Sequence, residues 1–121
     1  MNATRACPCV LLVEDEIMVA MMLEDRLEQH GYRVLAVANL RDALRLAREE
    51  SIDLAVLDIN LNGEASFPVA DALRERGIAF TFTSGYGIEG LPPEYRAEAI
   101  LQKPYDTKAL LGVLASLQRT P

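Results

Sequence analysis

Three carboxylates in a row, Glu14, Asp15 and Glu16, follow the apolar run Val10 to Val13, and a fourth, Asp58, ends the apolar run Leu54 to Leu57. Ser84 follows Ile78 to Thr83, and Lys103 with Pro104 follows Ile100 to Gln102. Taken singly, each has an ordinary explanation. A lone Asp after a strand is a turn or cap residue, acids opening a helix favour its macrodipole, and Lys before Pro is an extended dipeptide. Their joint occurrence at the ends of apolar runs points to one shared place. Anions alone would repel there, and a hard divalent cation relieves the repulsion. Mg²⁺ takes one or two carboxylates, a carbonyl and several waters. Asp15 and Asp58 are expected as direct ligands, with Glu14 acting through water. With the cation and Lys103 to neutralise phosphoryl oxygens and Ser84 to hydrogen-bond one, Asp58 fits a nucleophile for phosphoryl transfer.

Such a site needs elements that deliver all these residues to one edge. Val10 to Val13 has the short, continuous apolar character of a fully buried strand, and a helical stretch then runs to His30 with Gly31 as its stop. Arg33 to Ala38 is rich in strand formers, and Asn39 with Asp42 resembles a capping box opening a helix through Glu50. Asp53 to Asp58 predicts a third strand, Ser66 to Arg76 a third helix ended by Gly77, Ile78 to Thr83 a fourth strand and Ile100 to Gln102 a short fifth. Asp106 or Thr107 caps a last helix to about Leu117, with Leu110, Leu111, Leu114 and Leu117 as its buried stripe. Alternating strands and helices predict βαβ crossovers and a parallel α/β sheet covered on both faces. In such sheets ligands sit beyond the carboxyl ends of the strands, which is where the acids, Ser84 and Lys103 fall.

Composition narrows the function further. The 121 residues suit one domain spanning 1–121 with a short N-terminal tail over 1–8, and the net charge of -6 without a Lys/Arg block argues against nucleic-acid binding. The longest apolar runs, Ile17 to Leu23 and Ala109 to Ala115, fall far short of the roughly 20 residues that span a bilayer. No membrane partner is expected, and the start lacks a signal-peptide core, so the expected location is cytoplasmic. Cys7 and Cys9 have too few companions for a metal site and read as free thiols. His30, just before Gly31, reads as a favourable group at a helix C-terminus.

These motifs together resemble the receiver domains of bacterial two-component response regulators, over nearly the whole chain. Val13 to Glu16 (VEDE) is similar to that family's acid pair, Leu57 to Leu61 (LDINL) to its phosphoacceptor strand, Ser84 to Gly87 (SGYG) to its hydroxyl switch, and Gln102 to Tyr105 (QKPY) to its Lys-Pro motif. The resemblance implies a flavodoxin-like, doubly wound, five-stranded parallel sheet of order 2-1-3-4-5 with helices on both faces. It implies that Asp58 receives phosphate from a sensor histidine kinase with Mg²⁺, and that Asn60 offers its backbone carbonyl to the metal. It also implies a cis Lys103-Pro104 bond and movement of Ser84 toward the phosphate. The expected response is a change felt by a downstream protein of unknown identity, or simple storage of phosphate, with no turnover of a free substrate.

Two departures qualify the resemblance. Receivers commonly carry Tyr or Phe three residues before the Lys, and here Ile100 stands there. The stretch Gly85 to Ala99 contains Gly85, Gly87, Gly90, Pro92 and Pro93, so the fourth helix is expected to be short or absent and the stretch mobile until activation, with Tyr86, Ile88, Leu91 and Tyr95 as its main apolar anchors. Tyr86 or Tyr95 is a candidate to replace the missing aromatic. This stretch loosely resembles the stand-alone receivers of the FAT GUY group through Phe82 to Gly85. On the first helix, Val19, Ala20, Leu23 and Leu27 form the core stripe while Met18 and Met22 project away, as a docking surface for the kinase would require. The rival reading is a small Mg²⁺-dependent phosphohydrolase with an aspartate nucleophile. Those enzymes need a second acid two residues later, where this chain has Asn60. A pseudo-receiver that binds partners without phosphate is disfavoured by the complete set of acid, hydroxyl and lysine.

Overall fold

A computed structural model of the protein describes residues 7–85, 91–95 and 98–119. In chain order its elements are β1 (Cys9–Val13), α1 (Ile17–Gln29), β2 (Arg33–Val37), α2 (Leu40–Glu49), β3 (Leu54–Asp58), β4 (Asn60–Leu61), β5 (Glu64–Ala65), α3 (Phe67–Glu75), β6 (Ala79–Ser84), a single 3₁₀ turn Pro93–Tyr95, β7 (Ala99–Gln102) and α4 (Thr107–Arg119). Five strands pair in parallel in the order β2-β1-β3-β6-β7. With the small β4-β5 hairpin set apart, this is the doubly wound 2-1-3-4-5 order expected from the sequence.

The central strands are apolar at consecutive positions because both of their faces are covered. Leu11, Val13, Ala55, Leu57, Phe80 and Phe82 pack with Ala43 and Ala47 of α2 and Val69, Ala70 and Leu73 of α3. Their alternates, Val10, Leu12, Leu54, Val56 and Leu101, pack with Leu23 and Leu27 of α1 and Leu110 and Leu114 of α4. Period-two alternation thus feeds two cores from the same strands. Leu111 and Leu117 complete the expected α4 stripe as partly buried neighbours.

Helix ends follow the local chemistry. Asn39 Oδ1 accepts the Asp42 N–H at 2.8 Å while Asn39 Nδ2 donates to the Asp42 carboxylate at 3.1 Å, so the expected cap on α2 forms. Asp106, rather than Thr107, caps α4 by accepting the Ala109 N–H. At the end of α1, Gly31 takes φ 91°, a conformation that a side chain disfavours, and the Gly31 and Tyr32 N–H groups bond the last carbonyls of the helix. Cys7 and Cys9 are free thiols.

The hairpin was not read from the sequence. Asn60 and Leu61 pair antiparallel with Ala65 and Glu64, and both turn residues, Asn62 (φ 53°) and Gly63 (φ 90°), lie in the left-handed region. An Asn-Gly pair between two short extended stretches is the local signal that could have found it. The expectation of a mobile stretch after Ser84 falls in part on residues 86–90 and 96–97, Tyr86 and Ile88 among them, which lie outside the described residues. Two of the four expected anchors are described, and both are fully packed: Leu91 and Tyr95 join the core under α3. The only regular structure described between β6 and β7 is the Pro93–Tyr95 turn, in keeping with the expectation for the fourth helix.

Replacing Asn39 by Ala removes the side-chain bond to an otherwise orphaned N–H, and is expected to lower stability by about 1 kcal/mol. The check is the shift in urea unfolding midpoint, with the slope of the transition unchanged.

Candidate functional site

Parallel pairing in register is what brings the chemistry together. Val13 pairs with Leu57 and Asp58 with Thr83, while Ser84 pairs with Gln102. The residues that end or follow these positions, Glu14, Asp58, Ser84 and Lys103, therefore emerge side by side at the carboxyl edge of the sheet.

The acids are held close. Glu14 is 2% exposed and Asp58 7% exposed. One carboxylate oxygen from each of Glu14, Asp15 and Asp58 lies within 4.8 Å of the others. Backbone donors position them: Glu14 Oε2 accepts the Glu16 N–H at 3.0 Å, Asp15 Oδ2 the Asn62 N–H at 2.8 Å and Asp58 Oδ1 the Asn60 N–H at 3.3 Å. The hairpin thus does a specific job, since its turn ties Asp15 to the segment that follows Asp58. Asn60 Oδ1 accepts the Gly63 N–H at 2.8 Å, which commits its side chain to the turn.

Lys103 supplies the balancing charge. Its Nζ donates to Asp58 Oδ2 at 3.0 Å and stands 3.5 Å from Glu14 Oε1. Its N–H bonds the Ser84 carbonyl at 2.7 Å, and its peptide bond to Pro104 is cis. Burial works to lower the Lys103 pKa, but the hydrogen bond it donates to Asp58 and the charges of Asp58 and Glu14 outweigh it, so the ammonium is held above its usual range. Burial pushes the Glu14 carboxyl up, and the neighbouring Asp58 and Asp15 charges add to this, against the Glu16 N–H and Lys103. Burial is thus the leading reason that Glu14 is pushed toward its neutral form, with the adjacent anions as smaller contributors. The donor set is all hard oxygen, so it fits a divalent cation of the Mg²⁺ kind. Ser84 is 5% exposed at the end of β6, beside this pocket in sequence and register.

All the expected site residues therefore meet at one edge. On α1 both Met18 (79% exposed) and Met22 (46%) face outward as expected, and Ile17 and Met21 are exposed as well, which the sequence reading missed. Met22 lines a groove of about 450 Å³ with Glu16, Val19, Leu23, Lys103, Pro104 and Tyr105.

An acid pocket, a hydroxyl and a lysine at the carboxyl edge of a doubly wound sheet define a class of phosphoryl-handling α/β proteins. Within it, the family model of the response regulator receiver domain matches residues 10–115, and the chain belongs to that family. SdrG from Sphingomonas melonis Fr1 is 39% identical, with 97% of this chain and 98% of that chain covered and a TM-score of 0.80. The non-phosphorylated HemR receiver domain from Leptospira biflexa is 29% identical, with 94% and 96% covered and a TM-score of 0.81. The aerobic respiration control protein ArcA of Escherichia coli K12 is 31% identical over 107 residues, 85% of this chain and 45% of ArcA. The chain spans less than half the length of these curated relatives, the transcriptional regulatory protein AfsQ1 of Streptomyces coelicolor included. Receiver domains are signalling domains that interact with histidine kinases and downstream effectors, and the phosphohydrolase alternative finds no support in these relatives. No helix among the described residues is long and apolar enough to cross a membrane.

Lys103→Met removes the described cation that touches both Glu14 and Asp58. It is expected to cost about 1 to 3 kcal/mol, since partnered buried charges lose their partner. Chemical unfolding at neutral pH without divalent cations measures the loss, and added Mg²⁺ is expected to return part of it.

Proposed function

We propose that the protein accepts a phosphoryl group on Asp58 from a sensor histidine kinase and signals the event to a partner protein through a change near Ser84 and β7. The observation that carries this reading is the 3.0 Å contact of Lys103 Nζ with Asp58 Oδ2 beside the acid trio. In the transfer, an Asp58 carboxylate oxygen attacks phosphorus. The new O–P bond forms as the N–P bond to the kinase histidine breaks, and the imidazole nitrogen leaves with that bonding pair. Lys103 follows the negative charge from the Asp58 carboxylate onto a phosphoryl oxygen, and the Ser84 hydroxyl donates to another. The Glu16, Asn60 and Asn62 N–H groups hold the three acids in place throughout. Glu14, Asp15, Asp58 and the backbone carbonyl of Asn60 would hold Mg²⁺, which supplies positive charge to the phosphoryl oxygens when bound. The phosphate stays on the protein's own side chain, so this is signalling rather than turnover of a free substrate. A cytoplasmic setting fits a kinase partner of this kind. The match with SdrG over 97% of this chain supports reading residues 1–121 as a single receiver domain.

Kinase docking is assigned to α1. Exposed Met18 and Met22 are adaptable apolar contacts, and the groove beside Met22 runs to Lys103 and Pro104, at the entrance to the site. A helix of the kinase phosphotransfer domain laid there would bring its histidine toward Asp58.

Asp58→Asn keeps the shape and removes the nucleophile, so incubation with Mg²⁺ and acetyl phosphate is expected to add a phosphoryl mass to the wild type and none to the variant. Intact mass spectrometry reads this, and a base-labile phosphate on the variant would overturn the assignment. Met18→Asp or Met22→Asp is expected to impair phosphorylation by a cognate kinase while sparing acetyl phosphate. Equal losses with both donors, together with a lowered melting temperature, would place these side chains in a structural role instead.

A further inference from the structure

Behind the acid pocket, α3 and the Pro93–Tyr95 turn enclose a group of side chains that phosphoryl transfer as described does not use. Tyr95, 3% exposed, stacks on Phe67 with ring centres 5.0 Å apart and planes 12° from parallel. It meets Phe82 edge to face at 5.6 Å. Arg74 lies 4.4 Å over the same ring. The Tyr95 hydroxyl donates to the Asp71 carboxylate. Arg74 in turn donates to the Glu98 carboxylate, at 2.7 Å from Nη2, and to the Glu94 carbonyl at 2.8 Å. Ring, hydroxyl and surroundings are thus all fixed.

Both aromatic neighbours lead back to the site. Phe67 follows Ser66, whose N–H bonds the carbonyl of Ile59 at 2.9 Å, and Ile59 follows Asp58 directly. Phe82 stands two residues before Ser84 on β6. Phe67 and Phe82 also touch each other edge to face at 5.8 Å. One short path therefore runs from Asp58 and another from Ser84, and the two end on one ring. A shift at either Asp58 or Ser84 reaches Tyr95 by way of close-packed rings, which have little room to absorb it.

Building on the phosphorylation reading, we infer that Tyr95 is a positioning residue for phosphoryl transfer at Asp58: it holds Phe67 and Phe82, and through them the segments carrying Asp58 and Ser84. Coupling of this kind is reciprocal. If Tyr95 helps set the site, occupancy of the site must alter the surroundings of Tyr95. Burial and the Asp71 bond push the Tyr95 hydroxyl up to about 12, so it remains a neutral donor to Asp71 at any physiological pH. Asp71 and Arg74 are exposed on α3, which puts the far end of the path on the surface. A tyrosine that merely fills space would not respond to a ligand at Asp58.

The experiment uses wild type, Tyr95→Phe and Tyr95→Leu. Tyrosine ring resonances of the labelled protein are recorded with Mg²⁺, before and after beryllofluoride, and the Tyr95 signal is assigned by its loss in Tyr95→Phe. The rate of phosphorylation by acetyl phosphate is followed by intact mass. The Tyr95 signal is expected to shift on adding beryllofluoride. Tyr95→Leu is expected to slow phosphorylation by about fivefold, and Tyr95→Phe, which keeps the ring contacts, to stay within about twofold of wild type. A Tyr95 signal unmoved by beryllofluoride overturns the inference, and this arm stands even if Tyr95→Leu fails to fold. A folded Tyr95→Leu that is phosphorylated at the wild-type rate overturns it equally. In both cases phosphate still forms on the wild type, so the phosphorylation reading survives. A wild type that takes up no phosphate fails that reading, and the inference falls with it.

Discussion

Three carboxylates whose oxygens approach within 4.8 Å, two of them almost wholly buried, repel one another by on the order of 3 kcal/mol per pair at an effective dielectric of about 20. Much of the architecture at this edge of the sheet is a response to that repulsion. Lys103 lies between Glu14 and Asp58, and each acid accepts at least one backbone N–H. Glu14 is still pushed toward its neutral form, chiefly by its burial, with the Asp58 and Asp15 charges adding to it. Three carboxylate oxygens this close together form a donor set that suits a hard divalent cation. Phosphorylation at Asp58 would change the charge at the centre of the arrangement, so the groups that now face Asp58 would have to rearrange.

The sheet makes such a cluster possible. Parallel pairing sets the residue after β1 level with the last residue of β3, and places the last of β6 one register position and the first after β7 two positions further on, so the four form one short, staggered line. Two separate cores hold that line rigid from either side. α1 and α4 pack on one face and α2 and α3 on the other. The two faces also divide the tasks. α1 carries the exposed methionines next to the mouth of the pocket, and α3 carries Phe67, Asp71 and Arg74, which enclose Tyr95. A partner that delivers phosphate and a change that reports it can thus sit on opposite sides of one sheet.

Ile100 shows how a local substitution shifts the burden elsewhere. It packs against the α2 and α3 core as a plain aliphatic group with no hydroxyl or ring to offer. The aromatic contacts with β6 come instead from Tyr95 on the preceding turn and from Phe67 on α3. Among the described residues between β6 and β7, Leu91 and Tyr95 both reach the core.

The sequence by itself determined the elements and the identities at their ends. Continuous apolar runs such as Val10 to Val13 could only be strands covered on both faces, and Asn39, Gly31 and Gly77 marked helix ends through chemistry that acts within a few residues. The order in which Glu14, Asp58, Ser84 and Lys103 follow apolar runs was likewise enough to foretell a shared edge. The β4-β5 hairpin was legible too, in Asn62-Gly63, but short pairs of strand residues carry little periodicity and it went unread. Only the tertiary structure decided the rest. Lys103 reaches Glu14 as well as Asp58, Asp15 is tied to Asn62, and Tyr95 meets Phe67, Asp71 and Arg74 of α3 and Phe82 of β6. Those partners are separated by 13 residues or more and share no spacing, so the chain encodes them only through the close packing of the folded core.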